Sequence, residues 1–397
     1  MRPLLPKKTH LFTPGPTSVP DEVLRAMAAP VIHHRTPEFQ AHLAAALTGL
    51  QRVIGTANDV AMFTSSGTGA MESAVANLVR PGDEIVVAEF GHFGKRWAAL
   101  GEAYGATVHR HSTEWGSRPD ADEVARFVAQ HPNARAVFTT FSETSTGTVS
   151  DPQALAASIR ATPGGDDRIL VLDAISGLGA APLSADEWGW DVVVAGSQKA
   201  LMLPPGLAFA SVSAAAEAVA RATAGAGSNR MYFDWAKTLD AQRKSPPSTA
   251  FTPALTIVIG LAVALEMMFA EGLDEVYARH AHLGRAARAG VKALGFDLFS
   301  PDHESSVVLT AVAIPDGVDG TAIPKKLGSY GVTVAGGQAH LKGKIVRLGH
   351  CGWMNEFDLI TCIAAFERAL TELDIDVPVG AGVAAAQRSL TEVEVLA

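Results

Sequence analysis

The chain lacks the sequence features that are typical of disulfide-rich, zinc-binding, nucleic-acid-binding and membrane proteins. It contains two cysteines, Cys351 and Cys362, which cannot form a disulfide framework and lack the spacing of a zinc site, so we predict free thiols and no metal. A net charge of −9 argues against a general nucleic-acid surface, because phosphate binding requires a basic patch. No stretch approaches the roughly 18 apolar residues of a membrane span, and the proline-broken N-terminus lacks the apolar core of a signal peptide. We therefore expect a cytoplasmic protein without a membrane or nucleic-acid partner.

What the chain does contain predicts an α/β protein. Hydrophobic residues make up 48% of it and charged residues 18%, which is the composition of a folded globular protein. Its 397 residues exceed the roughly 250 to 300 of a single core, so we expect two domains. Short apolar runs alternate with helical segments, which predicts a mostly parallel sheet with helices on both faces. The seven predicted strands are Val60–Thr64, Glu84–Ala88, Ala106–His109, Arg135–Thr140, Arg168–Leu172, Asp191–Ala195 and Leu207–Val212.

Prolines and changes of pattern indicate the domain boundaries. Residues 1–20 contain Pro14, Pro16 and Pro20 and are expected to form an extended arm without regular structure. We assign residues 21–253 to a large α/β domain and residues 254–380, which begin with a long helix, to a smaller α+β domain. Residues 381–397 show little patterning and are expected to form a loosely held tail.

A lysine follows the sixth predicted strand. Asp191–Ala195 has the length and β-branched content of a buried strand, and Lys199 comes just beyond it, before four apolar residues. Burial at this position would lower the pKa of the amine and make it a nucleophile. The alternative is a loop lysine whose charged end reaches water.

Other strand ends also carry groups that suit a ligand, because ligands of open α/β sheets bind at the carboxyl ends of the strands. Ser65–Gly69 opens a helix and can either hold a phosphate or simply cap that helix. Asp173 ends another strand and needs a cationic or donor partner if it is buried; otherwise it is a helix cap. Glu143–Thr146 lies at the same rim and is either a contact for a bound ring or an ordinary turn.

One cofactor, pyridoxal phosphate, would use all of these strand ends at once. It requires a lysine for its Schiff base, an acid against its pyridine nitrogen, a cup for its phosphate and a flat group on its ring face. The chain offers Lys199 as the lysine, Asp173 as the acid and Ser65–Gly69 as the phosphate cup. The cup comes before the other two in the sequence. The combination favours this cofactor far more strongly than any single residue does.

Several segments resemble motifs of the class V pyridoxal-phosphate-dependent aminotransferases. The nearest group is the alanine/serine–glyoxylate aminotransferases, with the related soluble hydrogenase small subunits. The resemblance runs from Phe12 to about residue 370, and it implies the fold type I architecture and a homodimer with shared active sites. The segments are TPGPTSVP, SSGTGAME, HFGKRW, ETSTG, LVLDAISGLGA, GSQKALMLPPG and GKIVRLGH.

The resemblance also implies roles for particular residues. Lys199 matches the Schiff-base lysine, and Asp173 matches the acid that keeps the pyridine nitrogen protonated. Arg347 matches the arginine that binds the substrate carboxylate. The chemistry supports this match, because a guanidinium pairs with a carboxylate through two hydrogen bonds. Without the resemblance, Arg347 would be interpreted as a surface arginine on a strand. The remaining matches are cofactor contacts: Gln198, the phosphate loop Ser66, Gly67 and Thr68, the ring-stacking Phe93, Thr144 near O3′, and Thr252, which reaches the phosphate of the other subunit.

Two departures leave roles open. Thr249 stands where some members of the family have a tyrosine that contacts the phosphate, and Phe93 stands where the family often has tryptophan. His33 and His34 follow the arm and resemble a family segment near the entrance of the active site. Their role stays open because surface histidines are common.

The resemblance implies a transaminase with a ping-pong mechanism. It would move an amino group from a small amino acid, with alanine or serine favoured, to a 2-oxo acid such as glyoxylate. The fold alone does not decide the reaction, so two alternatives stay open. One is a lyase or desulfurase, which would need a nucleophilic cysteine on a mobile loop. The other is a catalytically silent subunit, against which the combination of Lys199, Asp173 and Arg347 argues.

Overall fold

The computed structural model describes residues 8–225 and 230–392. The strands in these ranges are β1 (His10–Phe12), β2 (Asp59–Ser65), β3 (Glu84–Glu89), β4 (Thr107–Ser112), β5 (Ala134–Thr140), β6 (Ser142–Glu143), β7 (Thr148–Val149), β8 (Ile169–Asp173), β9 (Val192–Gly196), β10 (Gly206–Val212), β11 (Leu309–Ala313), β12 (Val332–Gly336) and β13 (Ile345–Gly349). The α-helices are α1 (Asp21–Met27), α2 (Pro37–Ile54), α3 (Gly67–Leu78), α4 (His92–Ala103), α5 (Ala121–Ala129), α6 (Pro152–Arg160), α7 (Ala185–Trp188), α8 (Ala214–Ala222), α9 (Trp235–Gln242), α10 (Leu255–Glu271), α11 (Leu273–Ala293), α12 (Ala322–Ser329), α13 (Glu356–Thr371) and α14 (Ala381–Thr391).

Seven strands form the large sheet, in the order β2-β10-β9-β8-β5-β3-β4. The pairings among β9, β8, β5, β3 and β4 are parallel, whereas β10 is antiparallel to both β2 and β9. β10 reverses because the short connection from Gly196 to Gly206 has no room for the crossover that a parallel neighbour requires. All seven strands predicted from the sequence are present, so the prediction of a mostly parallel seven-stranded sheet is confirmed.

Apolar side chains cover both faces of this sheet. Trp97 and Trp235 are fully buried on one face, in a cluster with residues of α3 and α8, and Phe39 and Leu43 of α2 are fully buried on the other. Burial of each such side chain stabilises the fold by about 1.5 to 3 kcal/mol. The two packed faces hold the strand ends in place, which is the condition for a preorganised site.

A second sheet has the order β1-β12-β13-β11. The strand candidates Ser306–Ile314 and Lys344–Leu348 correspond to β11 and β13, while β12 was not predicted. The expectation that the arm has no regular structure is wrong at one point, because His10–Phe12 pairs in parallel with β12 just before Pro14. The arm is therefore anchored at one end, and residues 1–7 of it lie outside the described residues.

The predicted tail is largely a helix, which corrects the expectation of a loosely held segment. Helix α14 packs against α11 and α13, and its buried residues are Gly382 and Ala386, whose small size permits close approach. The carboxylate of Glu367 accepts hydrogen bonds from the backbone N–H groups of Gly380 and Val383 at 3.0 and 2.9 Å, which satisfies donors of the first turn. Residues 393–397 lie outside the described residues.

Within the described ranges, no single helix is both long enough and apolar enough to cross a membrane. Helices α10 and α11 reach that threshold only when taken together, and the chain bends by 85° between them. The domain boundaries at residues 253 and 380 stay predictions.

Candidate active site

Lys199 lies just past the carboxyl end of β9, in a turn that Ser197 holds. The Ser197 hydroxyl donates to the Pro204 carbonyl at 2.7 Å and accepts from the Leu207 N–H at 3.2 Å. Lys199 is only 8% exposed, so the alternative of a lysine that reaches water is wrong. Burial lowers the pKa of the Lys199 amine from 10.5 to about 8. Part of the amine is therefore neutral near neutral pH.

The arm crosses directly over Lys199. The Lys199 Nζ donates to the Pro14 carbonyl at 2.7 Å, and the Thr17 hydroxyl donates to the Lys199 carbonyl at 2.9 Å. Gly15 has φ of +142°, and a Cβ there would lie 2.5 to 2.6 Å from the Cδ, Cε and Nζ of Lys199. A side chain at position 15 would require the buried end of Lys199 to shift and would place a non-glycine residue at a positive φ. The sequence analysis did not identify this preference for glycine, although Gly15 lies in the TPGPTSVP segment.

Asp173 ends β8 and is 3% exposed. Its Oδ1 accepts from the Ile175 N–H at 2.8 Å, so the expected donor partner is present, and no helix follows directly for it to cap. Burial raises the pKa of the Asp173 carboxyl to about 7, against the lowering effect of the Ile175 N–H and of the Lys199 charge. A carboxyl in this state binds a proton or a positively charged N–H group readily.

Ser66, Gly67 and Thr68 form the start of α3. Ser66 occupies the N-cap position without making a side-chain capping bond, which argues against a purely capping role. Gly67 lies against Gly196, where a Cβ would come within 3.2 Å of the Gly67 backbone, and the buried Gln198 Oε1 there has no hydrogen-bond partner. Unused donors at the positive end of a helix fit a phosphate group, whereas the free Gln198 Oε1 is an acceptor and suits an N–H or O–H group.

Glu143 organises the start of α4, a role that the sequence analysis did not predict when it assigned Glu143–Thr146 to a ring contact or an ordinary turn. The fully buried carboxylate accepts from the N–H groups of Phe93 and Gly94 at 2.9 and 3.1 Å, and from both the N–H and the hydroxyl of Ser145. Its pKa is raised by burial in spite of these bonds. The Glu143 carboxylate, which follows strand β5, thus fixes the backbone that carries Phe93.

Arg347 is 6% exposed on β13, so its interpretation as a surface arginine is wrong. Its Nε and Nη2 donate to the Gly336 carbonyl at 2.9 and 2.7 Å, and its Nη1 donates to the Thr144 carbonyl at 2.7 Å. These contacts use three of its five N–H groups and leave one on each terminal nitrogen. Burial lowers the pKa of Arg347 to about 10, so the guanidinium stays charged at neutral pH.

The structure does not bring every predicted residue together. Thr249 and Thr252 line a small cavity with Thr64 and Tyr232, and neither Lys199 nor Asp173 lines it. Thr252 is exposed, as a residue that serves another subunit would be in a single chain.

His33 and His34 form a ring pair ahead of α2, 4.4 Å apart between centroids. His33 Nδ1 accepts from the Arg35 N–H at 3.3 Å, so this contact belongs to the local turn. The contacts described for the pair do not connect it with the strand ends.

Both cysteines are free and buried. Burial raises the pKa of each thiol to about 12, which makes them poor nucleophiles. A desulfurase needs a reactive thiolate on a mobile loop, and neither position provides one.

A group of three potential metal ligands, which the sequence analysis did not predict, lies at the amino end of the sheet. Their ligand atoms are within 4.8 Å of one another, and they are Glu84, His109 and His131. His109 Nε2 is 2.8 Å from a Glu84 carboxylate oxygen, and the two imidazole rings stack with centroids 3.8 Å apart. This hydrogen bond and this ring stacking are sufficient to explain why the three side chains lie close together.

Known proteins of one family are similar to this chain over almost its whole length. The class-V aminotransferase family matches residues 9–376. A soluble hydrogenase small subunit from Synechococcus sp. (strain PCC 6716) is 40% identical over 97% of this chain and 99% of its own. A serine–glyoxylate aminotransferase from Methylorubrum extorquens is 38% identical over 98% of this chain and 97% of its own. The crystal structure of ureidoglycine–glyoxylate aminotransferase from Bacillus subtilis superposes with a TM-score of 0.92 at 27% identity, covering 98% of this chain and 100% of that one.

Proposed function

The chain belongs to the class-V aminotransferase family and is a transaminase, and from that premise we propose that it transfers an amino group from a small amino acid to glyoxylate. Alanine or serine is the favoured donor, because the similar proteins include a serine–glyoxylate aminotransferase from Methylorubrum extorquens and an alanine–glyoxylate aminotransferase from Nostoc sp.. The observation that carries the proposal is the grouping of three buried residues: Asp173 and Lys199 follow the neighbouring strands β8 and β9, and the charges of Asp173 and of Arg347, on β13, both act on the Lys199 amine.

The family implies pyridoxal phosphate, and the residues present fit it. The Ser66 hydroxyl at the positive end of α3 makes no capping bond and is available as a donor, and the unpaired Gln198 Oε1 is available as an acceptor. Ser66, Gly67 and Thr68 would hold the phosphate, Gln198 would contact the phosphate through its amide N–H groups or the ring, and Phe93 would cover the ring.

When bound, the cofactor supplies an electron sink that stabilises negative charge on the substrate Cα. Asp173 would keep the pyridine nitrogen protonated, for which a buried carboxyl with one N–H partner is suited. Lys199 would be the point of attachment, and its Nζ would take the proton from the substrate Cα. General acid–base transfer of this kind contributes roughly 10² to 10⁴-fold to a rate.

Substrate orientation would come from Arg347. Its two remaining N–H groups lie on adjacent terminal nitrogens, which is the arrangement that pairs with both oxygens of a carboxylate. Alanine, serine and glyoxylate share that carboxylate, so one arginine serves both halves of a ping-pong reaction. Thr144, whose carbonyl holds Arg347, would contact the cofactor O3′ from the same segment.

We also propose a homodimer in which Thr252 of the partner subunit reaches the cofactor phosphate, and a cytoplasmic location. The exposure of Thr252 in the single chain supports the first of these. Light scattering on the purified protein tests the dimer, and a monomer with full activity would contradict it.

The experiment for the function is a spectral titration of the purified protein with single amino acids in the absence of an acceptor. We expect the visible absorption band to shift to the near ultraviolet, with stoichiometric release of the donor's oxo acid, and the most effective donor identifies the substrate. Lys199→Ala is the control and should lose turnover while keeping the fold. Release of sulfide or ammonia instead would favour a lyase, and the absence of any band after addition of pyridoxal phosphate would contradict the proposal.

A further inference from the structure

Arg96 has an unusual environment beside the start of α3. It lies on α4, one turn after Phe93, and is partly buried. Its Nη1 donates to the Thr68 hydroxyl at 2.8 Å, and its guanidinium carbon lies 4.7 Å from the centroid of the Phe93 ring. Arg96 therefore contacts both the predicted phosphate loop and the predicted ring-stacking residue.

The electrostatics of this arrangement are unfavourable as they stand. The N-terminus of α3 carries about half a positive charge from its aligned peptide dipoles, and Arg96 adds a full one beside it. Within residues 8–225 and 230–392, no carboxylate lies within ion-pair distance of Arg96, whereas Arg110 on the adjoining strand β4 pairs with Glu89 and Glu102. The Asp173 carboxyl acts on Arg96 from a distance, since Arg96 helps to lower its pKa, but it does not form an ion pair with it. Two adjacent positive features without a direct ion-pair partner favour an anion between them.

The hydrogen bond to Thr68 has a second consequence. Because the Thr68 oxygen accepts from Arg96, its own proton is directed away from that guanidinium. The hydroxyl can then donate to an acceptor at the helix N-terminus, next to the N–H groups of the first turn. Arg96 thus contributes a charge and also orients one of the donors.

We propose that Arg96 is a positioning residue that supplies the fixed positive charge of the cofactor-phosphate cup and orients the Thr68 hydroxyl toward the phosphate. The inference rests on the proposed function, because it takes the phosphate of pyridoxal phosphate as the anion. The phosphate is a dianion, and the dipole of α3 alone compensates only a fraction of its charge. Arg96 supplies a full positive charge toward the remainder.

The test compares two ligands that differ only in the phosphate. The dissociation constants of pyridoxal phosphate and of pyridoxal are measured on cofactor-free protein, by quenching of tryptophan fluorescence, for the wild type, Arg96→Gln and Arg96→Lys. We expect Arg96→Gln to weaken binding of pyridoxal phosphate roughly 10- to 100-fold, the range for a lost charge-assisted hydrogen bond, and to leave pyridoxal binding unchanged. Arg96→Lys keeps the charge and should recover part of the loss.

Arg52→Gln is the matched control, because Arg52 also lies over an aromatic ring, 4.1 Å from the centroid of Phe269, but in α2. It should bind both ligands as the wild type does. Competition by inorganic phosphate adds a second measurement: phosphate should slow the uptake of pyridoxal phosphate by the wild type and have less effect on Arg96→Lys, so the proposal stays testable if Arg96→Gln does not fold.

The outcomes separate the two proposals. Equal weakening of both ligands in Arg96→Gln would show that Arg96 acts through Phe93 and overturn the phosphate role. Unchanged binding of pyridoxal phosphate in a folded Arg96→Gln protein would overturn the inference and leave the proposed function intact. A wild-type protein that does not bind pyridoxal phosphate at all would overturn both.

Discussion

Burial of the Lys199 amine should be measurable as a pH-dependent term in stability. The pKa of this amine is lowered from 10.5 to about 8, chiefly because burial disfavours the charged form. Two and a half pH units at about 1.36 kcal/mol each amount to about 3 kcal/mol. That cost is fully present below pH 8, where folded and unfolded chains both carry the proton, and it disappears as the pH rises to 10.5.

The sign follows from proton binding. Between pH 8 and pH 10.5 the unfolded chain holds a proton that the folded chain has released, so the free energy of unfolding rises with pH. Methionine is similar in size to lysine and carries no charge, so Lys199→Met removes this dependence. We therefore expect the cofactor-free wild type to gain about 2 kcal/mol relative to Lys199→Met between pH 7 and pH 9.5.

The assay is urea unfolding of both cofactor-free proteins at several pH values, followed by tryptophan fluorescence. Titrating groups that do not interact with Lys199 cancel in the difference, and the lost hydrogen bond to Pro14 adds only a constant. The Asp173 carboxyl, whose pKa the Lys199 charge lowers, contributes only near its own pKa of about 7, so the trend above pH 8 reports Lys199. Lys95→Met, at an exposed lysine, serves as the control and should show no such trend. A difference between wild type and Lys199→Met that does not change with pH would refute the argument that burial controls this amine.

Two further predictions concern the groups around Lys199. Gly15→Ala should weaken attachment of the cofactor, because the new methyl group would lie 2.5 Å from Lys199 Cδ and the buried lysine side chain would have to shift. Gly317 also has a positive φ but faces open space, so Gly317→Ala should cost only about 1 to 2 kcal/mol of stability. Normal cofactor uptake by Gly15→Ala would contradict the contact. Arg347→Ala should raise KM for donor and acceptor alike by roughly 10- to 100-fold, with a smaller effect on kcat, in steady-state kinetics. An unchanged KM would remove Arg347 from carboxylate binding.

The local pattern of the sequence was sufficient for the elements that carry the site. The apolar runs that became β8 and β9 end at Asp173 and just before Lys199, and residues past strand ends lie at one edge of a parallel sheet. The Gly/Ser/Thr turn that opens α3 was likewise visible as a local pattern. Their combination then connected these positions to one cofactor, and the resemblance to the class-V family implied a role for each.

The sequence pattern did not predict the elements whose regular structure depends on contact or pairing with a distant segment. Helix α14 has few large apolar residues, and its packing on α11 depends on small buried residues and on Glu367, which belongs to α13. Strand β1 has three residues and exists because β12 offers it an edge. Neither feature has a periodic signature long enough to detect.

The sequence by itself determined the fold class, the order of the strands along the chain and the positions of Lys199 and Asp173 beside strand ends, because periodicity and strand ends are local properties. Only the tertiary structure decided that Glu143 holds Phe93, that Arg96 faces the start of α3, and that Gly15 covers Lys199. Each of these is a contact between segments far apart along the chain, such as Pro14 and Lys199 at a separation of 185 residues. Which distant segments meet is set by the order of strands in the sheet and the packing of its faces, and no local pattern of residues contains that information.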